Sequence, residues 1–318
     1  MRVVVVAIAS IVALASVMAL ALVVAPVAAA QEPASSPDST LQKAIVAAVD
    51  GFEGVVGVYA EHLPTGRTAA LRADTLFPTA SLIKVPILVA TFERIEAGHL
   101  DYTAPLVFRD SLRYSDADLF GDLRDGAEVP LHQAAELMLS ASDNTASLWL
   151  QALAGGGGAI NAWLAAHGFA ATRVNSRTEG RRADWERYGW GQTTPREMAT
   201  LLRRIVDGQA VSPAADQEMH RLLTRTFYDD EALSALPPSV QTASKQGAVM
   251  ESRSEVVYVH APSGPYVFCI ITKAQTDTRY APDNAGYKLL RTLSRLFWTT
   301  FEPDHPWAPA AGHTRYRF

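Results

Sequence analysis

Two periodicities alternate along the chain, and their order predicts its architecture. From Ser39, the apolar residues Leu41, Ile45, Val46 and Val49 recur at helical spacing, with Ser39 and Gln42 placed as a capping box. Two strand-like runs follow, residues 54–60 and 68–71, joined through Pro64-Thr65-Gly66 as a hairpin. The middle reads as helical: residues 81–97 up to Gly98, residues 131–139 and 145–154 on either side of Ser142-Asp143-Asn144, and residues 159–167. Gly155-Gly156-Gly157-Gly158 precedes the last of these and reads as a flexible interhelix loop. Pro195 opens a further helix that carries Met198, Leu201, Leu202 and Ile205. Strand patterns return at 241–245, 253–260 and 266–272, the last two separated by the turn Pro262-Ser263-Gly264-Pro265. A closing helix is expected over 282–301, with Leu289, Leu290, Leu293, Leu296 and Phe297 on its apolar side. The two ends thus supply an antiparallel sheet with packing helices, and the middle inserts a helical lobe. This is an α+β fold, and a cleft between the lobes is the natural ligand site.

Composition narrows the setting. A chain of 318 residues, 48% hydrophobic, can bury a large core in one or two domains. The net charge of -5 is mild, and no basic stripe with interleaved aromatics is present, which argues against nucleic acid as a partner. Met1-Arg2, a long run of Val, Ala, Ile and Leu, and Ala28-Ala29-Ala30 read as a signal peptide over residues 1–30; an uncleaved membrane anchor is the rival. Either places the globular part outside the cytoplasm, in the periplasm or the medium. Residues 31–38 are expected as a Pro/Ser-rich tether, 39–304 as one catalytic domain and 305–318 as a tail. Cys269, alone in the sequence, excludes an intrachain disulfide and sits in a run that reads as buried strand. The eight histidines show no metal-ligand spacing, so neither metal nor other cofactor is expected. Nothing demands a partner subunit, and a monomer is expected.

The candidate chemistry lies in three short motifs. Ser81 stands three residues before Lys84, so the two share a helix face and the amine can reach the hydroxyl to remove its proton. Lysine is scarce: of Lys43, Lys84, Lys245, Lys273 and Lys288, only Lys84 has a serine three before it and only Lys245 has a glycine two after it. Ser142-Asp143-Asn144 and Lys245-Gln246-Gly247 complete the set. Each motif alone has a plain structural explanation, a helix cap or a solvated face. Together, in this order, they outline a serine acyl-transfer site.

On these motifs the chain resembles the class A β-lactamases and the serine hydrolases related to them, over essentially the whole mature sequence. The resemblance implies a β-lactamase/transpeptidase-like fold and the opening of a cyclic amide through an acyl-Ser81 intermediate. Ser81 would be the nucleophile and Lys84 its base, and the N–H groups of Ser81 and Ala248 would hold the oxyanion. Ser142 would relay a proton to the leaving nitrogen, Asn144 would hold Lys84 and the substrate amide, and Asp143 would hold the turn. Lys245 and Gly247 belong to the third motif, with Lys245 placing positive charge near Ser142 and the substrate carboxylate. Gln246 stands where the family has a hydroxyl, and its longer amide can still donate a hydrogen bond. Arg253 resembles the family's carboxylate-binding arginine. Glu179, in Arg177-Thr178-Glu179-Gly180, resembles the glutamate that activates the deacylating water. The surrounding loop departs from the pattern: Ala183 replaces an asparagine, Gly191 an aspartate, and Asp184 or Glu186 is an alternative base. A D-alanyl-D-alanine peptidase or other small amide or ester hydrolase would use the same nucleophile. A penicillin-binding sensor that stays acylated is the third reading.

Overall fold

The computed structural model describes residues 35–114 and 118–312. The expected leader, the first part of the tether and the end of the tail lie outside the described residues. A six-stranded sheet forms the centre, in the order Ser36–Pro37, Arg67–Leu71, Val55–His62, Tyr266–Lys273, Ser252–Val259, Thr242–Val249. All neighbours run antiparallel except Ser36–Pro37, which pairs parallel with Arg67–Leu71. The end of the expected tether is therefore an edge strand. The α+β class is as expected.

Strand alternation explains why the sheet can be covered on both faces. In Tyr266–Lys273, Val267, Cys269 and Ile271 enter one apolar cluster, and Tyr266, Phe268 and Ile270 enter the other. In Ser252–Val259 the same split separates Val256 and Tyr258 from Val257 and Val259. The second face is covered by the helices Ser39–Ala48 and Ala285–Phe301, which bury Leu41, Ile45, Leu290, Leu293 and Phe297. The first face meets the helical lobe, whose Lys84–Glu96 helix buries nine consecutive residues from Lys84 to Phe92. Burying each such large apolar side chain is worth roughly 1.5–3 kcal/mol. Cys269 is fully buried, and burial pushes its thiol well above its ordinary value, so it packs as an inert apolar residue.

Several local expectations change. Asp38, not Ser39, caps the first helix, accepting from the Thr40 and Leu41 N–H groups, while Gln42 Oε1 accepts from Ala70 N at 2.9 Å and ties helix to sheet. The last helix starts at Ala285, because Asn284 caps it by accepting from Gly286 and Tyr287. Helices at Arg182–Tyr188 and Pro213–Leu223 were not anticipated, although Ser212 before Pro213 is a cap followed by a first-turn proline. The tail is partly anchored: Trp298 Nε1 donates to His305 O, and Trp307 packs against the core.

The glycine run is not a flexible loop. Gly155 and Gly156 take left-handed φ of 94° and 80°, and the helix Gly156–Ala166 begins at once. Gly157 is needed for contact, since a Cβ there would fall 1.8 Å from Thr178 Oγ1 and 3.1 Å from Val174 Cγ1. The run thus presses this helix onto the loop before Glu179. Gly157→Ala should lower stability by about 1–2 kcal/mol through overpacking, and Thr178→Ala added to it should recover part of the loss. Thermal unfolding of the single and double variants checks this, and an unchanged midpoint in Gly157→Ala would contradict the packing.

Candidate active site

Ser81 lies in a tight 3-10 turn, Ala80–Ile83, that feeds directly into the Lys84–Glu96 helix. Ala80 is held at φ 45°, a conformation costly for a residue with a Cβ, and two neighbours fix it. Thr79 N donates to Gly191 O at 2.9 Å on one side. Gly247 closes in on the other, where an added Cβ would stand 2.9 Å from Thr79 O and 3.0 Å from Ser81 N. Only a glycine lets the Thr242–Val249 strand approach the Ser81 N–H so closely. Ala248 follows on that strand and lines the same cavity as Ser81.

Lys84 is wholly buried, and its Nζ is 3.1 Å from Ser81 Oγ. It also reaches Ser142 Oγ at 3.0 Å, Ser142 O at 2.5 Å and Asn144 Oδ1 at 2.8 Å. Burial pulls its pKa from 10.5 down to about 7, against the opposing pull of Asp143 and Asp118. Near neutral pH a large share of the amine is therefore uncharged and able to accept the Ser81 proton. The structure brings Ser81, Lys84, Ser142 and Asn144 to one point.

The turn that delivers Ser142 is over-determined. Ser142 sits at φ 59°, and Asp143 caps the Asn144–Leu153 helix by accepting from Ala146 N at 2.7 Å. Its second oxygen accepts from Phe120 N at 3.0 Å, and burial raises its pKa. Asp118 accepts from Asn144 N, Thr145 N and Thr145 Oγ1. The turn therefore depends on a residue far off in sequence that no motif flags.

The third motif is rearranged. Lys245 is buried, and burial, then the nearby Lys84, drive its pKa well below the ordinary value. Its Nζ donates to Gln246 O at 3.0 Å and to Gln246 Oε1, so the Gln246 side chain serves Lys245 and does not line the cavity. Arg253 departs from expectation outright. It is fully buried and donates to Val249 O, to Ser252 O at 2.9 Å and to Arg279 O at 2.7 Å. Its guanidinium lies 4.5 Å from the Tyr280 ring and 4.8 Å from the Tyr287 ring. Ser252 lines the cavity, and the next residue of the strand points to the opposite face. In this position Arg253 cannot hold a substrate carboxylate.

The loop from Asn175 to Gln192 is closed by Arg181, which donates to Asn175 Oδ1 and Gln192 Oε1 and pairs with Asp184 at 3.0 Å. Gly191 leaves no room for an aspartate: a Cβ there would stand 2.5 Å from Ile83 Cδ1. Glu179 is exposed and does not line the cavity of Ser81, so the loop does not deliver it as expected. Asp184 is committed to Arg181, and Glu186 pairs with Arg182 at 2.7 Å.

The cavity itself measures about 630 Å³. It is lined by Ser81, Asn144 and Ala248, by Tyr114 and Trp190 with ring centroids 5.0 Å apart, and by Arg187, Glu251 and Lys273. Sequence reasoning passed over Tyr114, Trp190 and Arg187. Lys273 was noticed only as a lysine outside the motifs.

Comparisons with known proteins place the chain in a family. A model of the "Beta-lactamase enzyme family" matches residues 40–301. A β-lactamase of Streptomyces albus G is 28% identical over 244 residues, 72% of this chain and 75% of that protein. Among solved structures, PBP-A superposes with a TM-score of 0.77 at 27% identity, covering 86% of this chain and 100% of that one. A PBP-A mutant solved as an acyl-enzyme complex with penicillin G gives 0.76 at 27% identity, covering 85% and 99%. A β-lactamase from Sphaerobacter thermophilus gives 0.75 at 25% identity, covering 85% and 100%. The family match spans most of the chain and carries the serine and lysine motifs with it; the chain belongs to the β-lactamase enzyme family, and it is a hydrolase.

Proposed function

We propose that the protein opens β-lactam amides by acylation of Ser81 and that release of the acyl group is the slow step. The observation that carries the reading is the buried Lys84 amine, with a pKa near 7, 3.1 Å from the Ser81 hydroxyl. Ser81 Oγ attacks the carbonyl carbon as its proton passes to neutral Lys84. The N–H groups of Ser81 and Ala248 then stabilise the oxyanion, each worth on the order of 3 kcal/mol. The C–N bond breaks as Lys84 returns the proton through Ser142 to the leaving nitrogen. Asn144, accepting from Lys84, keeps the amine aimed at both hydroxyls.

Deacylation needs a water and a base. Lys84 and Ser142 are committed to the acylation relay, and Glu179, the base the resemblance implied, is exposed and off the cavity wall. This supports a long-lived acyl-enzyme ahead of rapid turnover. A PBP-A mutant of similar fold, solved as an acyl-enzyme complex with penicillin G, supports acylation by a β-lactam. The leader pattern of residues 1–30 supports action outside the cytoplasm, where β-lactams and cell-wall peptides are met.

Two measurements test the reading. Mixing purified protein with a chromogenic cephalosporin while following colour and intact mass should show a burst of about one equivalent and an adduct on Ser81. Slower turnover should follow, and Ser81→Ala should show neither. Glu179→Gln should change the slow phase by less than about threefold; a hundredfold loss would restore Glu179 as the base. No colour and no adduct, with activity on D-Ala-D-Ala peptides, would favour the peptidase. Separately, the second-order acylation rate should rise with pH through about 7, where Lys84 loses its proton. It should be about tenfold lower at pH 6 than on the alkaline plateau. A rate flat between pH 6 and 8 would contradict the role of Lys84.

A further inference from the structure

The cavity that holds Ser81 is also lined by two cations, Arg187 and Lys273, that take no part in acylation. Lys273 Nζ donates to Leu76 O at 2.7 Å and lies 4.7 Å from the centre of the Phe77 ring, which fixes its stem. Arg187 lies with its guanidinium 5.1 Å over the Tyr188 ring. Arg181 and Arg182, on the same segment, are paired with Asp184 and Glu186. Among the described residues, neither Arg187 nor Lys273 has a carboxylate within ion-pair distance. Burial first, and Arg187 second, push the Lys273 amine below its ordinary value, as expected for two cations facing one space. The one carboxylate on the cavity wall, Glu251, is exposed on the hairpin and leaves the region net positive.

Strand direction says which part of a substrate meets these cations. Along Thr242–Val249, Lys245 precedes Gly247, which abuts Ser81 N, and Ala248 and Val249 follow. The proton for the leaving nitrogen comes from Ser142, beside Lys84, and neither Ser142 nor Lys245 lines this cavity. Register places Val249 opposite Ser252 and Ile271 opposite Ser254, so Ala248, Val249, Ser252 and Lys273, all lining this cavity, lie on the side of Gly247 away from Lys245. The cavity therefore receives the acyl part that stays on Ser81.

We propose that Lys273 and Arg187 form an anion subsite that selects substrates whose acyl side chain bears a carboxylate. The proposal rests on acylation of Ser81 as read above and adds the substrate class. The anion would supply the counter-charge that both cations lack, pairing with half-buried Lys273 and exposed Arg187 through charge-assisted hydrogen bonds.

The test compares benzylpenicillin with its α-carboxy derivative, which differs only by the added carboxylate. Acylation rate constants should favour the α-carboxy compound by about tenfold. The ratio should fall toward one in the Lys273→Met/Arg187→Gln double variant, stay near its original value in Lys273→Arg, and rise in Glu251→Gln. In parallel, calorimetry on the unreacted protein should show phenylmalonate binding more tightly than phenylacetate, with the difference lost in the double variant. If both penicillins acylate Ser81 at equal rates in both proteins, the subsite is wrong and the acylation reading stands. If neither acylates but phenylmalonate keeps its Lys273-dependent advantage, the subsite stands and the acylation reading falls. A ratio that survives in the double variant overturns the proposal.

Discussion

Everything at this site depends on keeping one amine out of water. Moving Lys84 from an ordinary value of 10.5 to about 7 corresponds to roughly 4–5 kcal/mol of unfavourable desolvation, a large part of the stability of a typical domain. Between those two values the unfolded chain binds more protons than the folded one. The cost is therefore present in full below about pH 7 and fades as pH rises. The apolar cluster between sheet and helical lobe offsets it, with Leu82, Ile83, Val85, Ile87 and Leu88 packed around the amine's own turn. Asn144, Ser142 and Ser81 supply the polar partners without which a buried amine would be untenable.

The same logic of position governs the sheet. Gly247 lets an edge strand touch the Ser81 turn, and Gly191 lets the loop touch it from the other side, so two absent side chains hold the nucleophile in its strained conformation. Arg253, one residue after the cavity-lining Ser252, instead serves the opposite layer, stacked on two tyrosines and donating to three carbonyls. The cations that line the cavity of Ser81 are Lys273 and Arg187 instead.

What was legible in the sequence was what local spacing fixes. Ser81 and Lys84 are a helical turn apart, Ser142 to Asn144 are one turn, and Lys245 to Gly247 are one stretch of strand, so each motif carries its own geometry. The hairpin and the double-sided strand Tyr266–Lys273 were readable for the same reason. Contacts set by the tertiary fold were not. Asp118 caps the Asn144 turn from 26 residues away, with no local pattern to announce it. Arg253 matched a pattern in type and rough spacing, but strand parity turned it to the wrong face. Glu179 matched the pattern in residue type, in a loop that departs from it at Ala183 and Gly191, and in the structure its carboxylate meets solvent.

The central claim is that Lys84 is a base because it is buried, and the amine can be titrated directly. With nitrogen-15 placed in the five lysine side chains, the Nζ resonance that disappears in Lys84→Arg should titrate near pH 7 in the free protein. A Lys84 resonance that titrates near the ordinary lysine value of 10.5 would contradict the account.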